Sequence, residues 1–285
     1  MQICRTVADI RAAVAQYRRD GATIGLVTTM GALHAGHMQL VAEAKGTHDR
    51  VIATIFVNPT QFGNPADLES YPRTEAADLA MLEAAGVSAA FIPQVSEIYP
   101  AGDETIVETT RLANMLHGLV RPGHFRGVAT VVCKLFNIIQ ADAAYFGEKD
   151  YQQLQVIRRM VRDLHMPVQI FGVATVREAD GLAMSSRNVR LTPMDRAAAV
   201  CLSRALDAAE KAAGAGASVA EIDDAMRAVI AAEPRGRLVA IDIVEAGTLA
   251  PVGGVPAGDI AIMLSVAFGP EDNPVLLIDQ REIRK

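Results

Sequence analysis

The sequence has no tryptophan and only three cysteines among its 285 residues. The missing tryptophan decides little. The cysteines decide more: Cys4, Cys133 and Cys201 stand far apart, which excludes a Cys-x-x-Cys metal pair and a disulfide framework and suits a reducing cytosol. Long hydrophobic runs are missing too. The longest, 260–268, is bounded by Asp259 and Gly269 and is far too short to span a membrane, so it reads as a buried strand. Residues 3–17 mix charged and apolar residues at helical spacing without a long apolar core, which argues against a secretory signal and for a cytoplasmic protein. Nor is there an excess of positive charge. A formal net charge of −6 and an isoelectric point near 5.6 argue against a general nucleic-acid binder, which would present a basic face to a polyanion. Any anionic substrate must be drawn by a local cluster of Lys, Arg and His set against an acidic whole.

What is present is an apolar fraction of 51% with 21% charged residues, the composition of a globular protein without low-complexity tracts, and a length that suits two domains of ordinary size. No internal repeat is found. Strand-like runs at 24–29, 51–57, 89–92, 143–146 and 168–173 alternate with helical patterns at 36–47, 73–85, 128–140 and 151–164. That alternation predicts an α/β fold, a Rossmann-like, doubly wound parallel sheet covered on both faces. The pattern changes near residue 175. A polar segment at 177–188 leads to Thr192-Pro193, which opens an Ala-rich helix to about 213; a second helix follows at 218–231. Strand-like runs at 238–244, 260–268 and 275–279 close the chain. The expected organisation is therefore 1–175 as the Rossmann-like domain and 176–285 as a smaller C-terminal α+β domain.

Five polar clusters interrupt this scaffold, three of them at strand ends. In the first, an apolar strand runs into Met30-Gly31-Ala32-Leu33-His34-Ala35-Gly36-His37. A helix beginning near Gly36 would aim unpaired N–H groups beyond the strand and make an anion site flanked by two imidazoles, which suits the phosphates of ATP. The second, Asn58-Pro59-Thr60-Gln61-Phe62, follows a strand that proline terminates, so its amides are expected at the crevice with donors and acceptors free for a ligand. The third, Arg121-Pro122-Gly123-His124-Phe125-Arg126-Gly127, reads equally as an anion site or as a solvated helix entry. In the fourth, Gly147-Glu148-Lys149-Asp150, the lysine offers phosphates a point charge, and Gln153 shares a helix face with it. The fifth, Met184-Ser185-Ser186-Arg187-Asn188, has the hydroxyls and guanidinium of a mobile loop that closes over a triphosphate. Each has a plain structural reading, as a helix start, turn or linker, but a fold that collects strand ends into one crevice makes five coincidences the poorer account.

In order and spacing these five segments resemble the pantothenate synthetase family, also called pantoate–β-alanine ligase, over nearly the whole chain. The first and last alone indicate only the wider nucleotidyltransferase superfamily. The resemblance implies an ATP-dependent ligase that condenses (R)-pantoate with β-alanine through a pantoyl-adenylate intermediate, releasing pyrophosphate and then AMP, with Mg²⁺ accompanying ATP. It implies that Met30, Gly31, Ala32, Leu33, His34, Ala35, Gly36 and His37 bind ATP. Gly147, Glu148, Lys149, Asp150, Val176, Met184, Ser185, Ser186 and Arg187 would add further ATP contacts. His34, His37, Lys149 and Arg187 would act on the phosphates, His37 as the candidate proton donor; Gln61 and Gln153 would hold pantoate, Gln61 also near β-alanine, with Asn58 a further substrate contact. A homodimer without nucleic-acid or membrane partners is expected. Thr28 stands where the family commonly has proline, which predicts a looser turn before Met30. Two other classes stay open: a nucleotidyltransferase acting on a phosphate-bearing acceptor, and a non-catalytic nucleotide-binding module.

Overall fold

The computed structural model describes residues 1–63 and 65–285. Its chain divides into two compact units, Met1–Gly147 with Gln152–Ala174, and Glu148–Tyr151 with Thr175–Lys285.

The first unit is built on six strands: β1 (Gln2–Cys4), β2 (Ile24–Thr29), β3 (Arg50–Ile55), β4 (Ala89–Phe91), β5 (Ala143–Gly147) and β6 (Gln169–Val173). They lie in the order β1-β4-β3-β2-β5-β6, and every pairing is parallel. The central strands read as near-continuous apolar runs because helices cover both faces. Ile24, Leu26 and Val27 on β2 and Ile52 and Ala53 on β3 are fully buried or nearly so. The chain winds outward from β2 through β3 to β4, then returns to lay β5 on the other side of β2. In such a sheet this reversal opens a crevice at the carboxyl ends of β2 and β5, where Met30 follows β2 and Gly147 ends β5.

Three elements differ from the sequence reading. β1 was expected to be part of a helix; it is three residues long with Ile3 half exposed, too short to carry a periodic signal. The run 51–57 ends as a strand at Ile55; Phe56 N–H makes the last ladder bond, to the Thr29 carbonyl, before Asn58 caps the turn at Pro59. The helix expected from 128 starts four residues earlier, as His124–Ile139, behind a left-handed Gly123.

The second unit carries β7 (Arg237–Glu245), β8 (Ile260–Phe268) and β9 (Val275–Ile283) as an antiparallel sheet in that order. Leu202, Leu206, Ile222 and Met226 of its helices pack with Ile262, Leu264 and Phe268 of β8 in one core. The single Ala-rich helix expected from 192 to 213 is two, Pro193–Ala198 and Cys201–Gly214. At the break Leu202 N–H bonds Ala199 O, an i to i+3 contact that interrupts the regular ladder, and the Ser203 hydroxyl donates to the Val200 carbonyl, which also accepts Arg204 N–H as the next helix begins. The cysteines are free thiols; burial pushes Cys201 up to about 11, which makes it inert. Among the described residues no helix is long and apolar enough to cross a membrane. The fold class is the one expected, a parallel α/β sheet with a smaller antiparallel α+β portion.

Candidate active site

The loop after β2 is built by a few side chains. The Thr29 hydroxyl donates to the Thr54 carbonyl at 2.6 Å and accepts from Gly31 N–H at 3.2 Å, fixing where strand becomes loop. Thr28 lies inside β2, paired with Thr54, so the turn is secured after it by Thr29 rather than loosened. Gly31 and Ala32 both have positive φ, +85° and +50°. A Cβ on Gly31 would meet Asp78 Oδ2 at 3.0 Å, so that turn needs glycine on two counts.

Asp78 is 2% exposed and organises the loop. Its carboxylate accepts from Ala32 N–H at 3.0 Å and Leu33 N–H at 2.8 Å, and the Thr74 hydroxyl donates to it at 3.1 Å. Both of those N–H groups precede the helix. Within the helix's own first turn the expectation of unpaired N–H groups is corrected for Gly36, which donates to His34 Nδ1 at 3.1 Å, and for His37, which donates to His34 O at 2.9 Å; His34 N–H donates to His37 Nδ1 at 3.3 Å. His34 thus caps the helix Ala35–Thr47, and the two histidines form a reciprocal capping box with rings 4.1 Å apart. With Nδ1 accepting in both, each neutral ring carries its proton on Nε2, the tautomer that donates to a phosphate oxygen.

The second strand-end cluster is a closed hydrogen-bond chain. Asn58 is 1% exposed and caps the turn Pro59–Gln61. Its Oδ1 accepts from Thr60 N–H at 3.3 Å, from the Thr60 hydroxyl at 2.9 Å and from the Tyr99 hydroxyl at 2.9 Å. Its Nδ2 donates to Gly127 O at 3.2 Å and Gln61 Oε1 at 3.1 Å. The expectation of a free Asn58 amide is therefore not met: both donors and the acceptor are occupied within the protein. Gln61 Nε2 in turn lies 3.1 Å from the Met30 sulfur, a weak acceptor. Met30 and Gln61, from two separate motifs, touch.

The Arg121–Gly127 cluster holds this turn in place. His124 Nδ1 donates to Gln61 O at 2.9 Å, which leaves Nε2 to accept from the Arg121 guanidinium at 3.2 Å. Gly127 allows the helix to approach: a Cβ there would lie 2.5 Å from Thr60 O. On the helix Tyr151–Asp163, Gln152 is buried and anchors the 112–117 segment through Leu112 O, Met115 O and His117 N–H, whereas Gln153 is only half-buried.

Within the second unit, Glu148, Lys149 and Asp150 form a single turn, with Lys149 half-buried and Asp150 exposed. Val176 O accepts from Met184 N–H at 2.9 Å, and Arg177 bridges Ala183 in antiparallel fashion. Asn188 Nδ2 donates to Glu178 Oε1 and Ala183 O, and Ser185 Oγ accepts Arg187 N–H at 3.2 Å. The segment expected as a flexible loop is a hydrogen-bonded hairpin with Ser185, Ser186 and Arg187 at its end, all half-buried.

The sequence matches the family described as Pantoate-beta-alanine ligase over residues 2–282. The chain belongs to the pantoate-beta-alanine ligase family. It is 51% identical over 284 residues to a pantothenate synthetase of Agrobacterium fabrum, covering 99% of this chain and 96% of that protein. The crystal structure of pantothenate synthetase from Thermus thermophilus superimposes with a TM-score of 0.93 at 47% identity, covering both chains fully. That of the Francisella tularensis pantoate-beta-alanine ligase, complexed with beta-gamma ATP and beta-alanine, gives 0.80 at 33% identity over 99% of this chain and 97% of that one. The protein is accordingly an enzyme, a ligase. In this ligase two residues that shape the site escaped the sequence reading. Asp78 left a signal, a carboxylate on the same buried face as Leu82 four residues on. Tyr99 left none, since it sits in an irregular stretch with no motif around it.

Proposed function

We propose that this ligase condenses (R)-pantoate with β-alanine, using ATP and forming pantothenate, AMP and pyrophosphate through a pantoyl adenylate. The observation that carries the reading is the contact between Gln61 and Met30, 3.1 Å, because it joins the proposed pantoate holder to the first residue of the proposed ATP loop. A carboxylate and an amine do not condense in water until one carboxylate oxygen becomes part of a leaving group. Pantoate oxygen attacks the α-phosphorus, the bond to the bridging oxygen breaks, and pyrophosphate departs. The β-alanine amine then attacks the acyl carbon and expels AMP, losing a proton as the amide forms.

His34 and His37, as Nε2–H donors, suit charge developing on the phosphates; with its Nδ1 accepting from His34 N–H, His37 is proposed to hydrogen-bond the departing pyrophosphate through Nε2–H rather than hand it a proton. Lys149, Ser185, Ser186 and Arg187 are proposed to bind the same phosphates, and Gly147, Glu148, Asp150, Val176 and Met184 to complete the nucleotide contacts. Pantoate is assigned to Gln61 and Gln153, with Asn58 acting through Gln61. The division of labour follows: residues 1–175 bind ATP and pantoate, and 176–285 serve as a lid that excludes water from an adenylate prone to hydrolysis. Among the described residues no three His, Cys, Asp or Glu side chains gather to hold a metal. Mg²⁺ is proposed on the family resemblance to arrive on the triphosphate, where it would neutralise phosphate charge. A cytoplasmic homodimer is proposed on the family resemblance, and sedimentation of the purified enzyme decides its assembly.

The test is ATP–pyrophosphate exchange. It is expected only when pantoate is added; exchange supported by other carboxylates and not by pantoate overturns the reading.

A further inference from the structure

We infer that Tyr99 is a positioning residue for pantoate: its hydroxyl orients the Asn58 amide, and through that amide fixes Gln61 as a hydrogen-bond donor toward the substrate. The inference rests on the pantoate assignment of Gln61 made above.

Two backbone groups show which way the Asn58 amide faces. Thr60 N–H can only donate, so the atom facing it is Oδ1; Gly127 O can only accept, so the atom facing it is Nδ2. The second Nδ2 hydrogen meets the Gln61 side chain, so the Gln61 atom there must be oxygen. That leaves the Gln61 NH₂ group on the opposite side, beside Met30. The amide therefore offers hydrogens to its ligand. It accordingly suits a carboxylate, carbonyl or hydroxyl oxygen.

Tyr99 supplies the firm member of this chain. Thr60 N–H reaches Oδ1 only at 3.3 Å, and the Thr60 hydroxyl belongs to an exposed residue. The Tyr99 hydroxyl donates at 2.9 Å from a ring fixed from behind, with Lys134 Nζ 4.7 Å from its centroid and Phe56 beside it. Lys134 is itself held by Ile98 O at 2.9 Å and by Asp103. Burial pushes the phenol above its ordinary value, so it remains a donor throughout the neutral range. A donor on Oδ1 also polarises the amide and strengthens the Nδ2 hydrogen bond to Gln61.

Tyr99→Phe keeps the ring and its packing and removes only the donor. The pantoate KM is expected to rise about five- to tenfold, the cost of one hydrogen bond in a partly compensated network, while the ATP KM and kcat stay within about twofold. A fluorinated tyrosine at 99, which keeps the hydroxyl, should retain the wild-type pantoate KM. In the Gln61→Ala background, Tyr99→Phe should leave pantoate affinity, measured by calorimetry, unchanged. A purely structural role would instead shift both substrates and the melting temperature, and would persist without Gln61; that pattern, or an unaltered pantoate KM in an active Tyr99→Phe enzyme, overturns the inference. Absence of any pantoate-dependent exchange in the wild-type enzyme would instead overturn the assignment of function.

Discussion

At the scale of single residues, the site uses acidic and amide groups to shape backbone before any substrate arrives. Asp78 is the clearest case. A carboxylate close to a proposed triphosphate loop repels phosphate, so its presence there is explained by the two N–H groups it fixes, Ala32 and Leu33, in a turn with two consecutive positive φ angles. Asparagine offers one acceptor where aspartate offers two and sets an NH₂ against an N–H. Asp78→Asn is therefore expected to cost about 1–3 kcal/mol of stability and to raise the ATP KM with little change for pantoate. Thermal melts and steady-state kinetics check it; unchanged values in both would deny Asp78 its role. The motif residues were legible in the sequence because His34, His37, Gln61 and Lys149 sit at strand ends, where chain punctuation is strongest. The partners of those residues were not. Asn58 was read as a ligand contact because spacing reveals which groups are polar, not which of them already hold each other.

At the scale of elements, the central parallel strands were legible because burial on both faces writes near-continuous apolar runs, as in 51–53 and 24–27. β1 was hidden by its shortness, and the break at 199–200 by the alanines before it and the lack of any Gly or Pro stop signal there. The hairpin at 177–188 was read as loose because its bracing comes from distant ions. The Arg196 guanidinium bonds Glu178 at 2.6 Å and Asp180 at 2.7 Å, tying that hairpin to the helix Pro193–Ala198. The Arg196 hydrogen bond is the leading cause holding both carboxyls below their ordinary values. A depressed folded pKa means that stability is complete above the unfolded carboxylate range, near 4–4.5, and is lost as pH falls through the folded values. Arg196→Met is expected to cost about 1 kcal/mol near pH 7, with the deficit vanishing as the carboxyls protonate in acid. Equal melting deficits at pH 7 and in acid would refute this account.

At the scale of the whole molecule, the residues proposed to bind the nucleotide are divided between two units, each with its own core. Residues 30–37 belong to the first, while 148–150, 176 and 184–187 belong to the second, and the net charge of −6 opposes a polyanion until it meets these local groups. A ligand that contacts groups in both units stabilises both by mass action, about 2.7 kcal/mol at a hundredfold excess over its dissociation constant. Hydrogen exchange with a non-hydrolysable ATP analogue should then slow at 30–37 and at 184–187 together. Lys149→Ala, which removes a proposed phosphate contact of the second unit, should weaken both effects in parallel because it lowers one shared affinity. With the analogue raised to saturate the variant, protection at 30–37 should return. Protection confined to the first unit, at saturation in the wild type, would mean that the second plays no part in holding the nucleotide and that its motifs answer to another purpose.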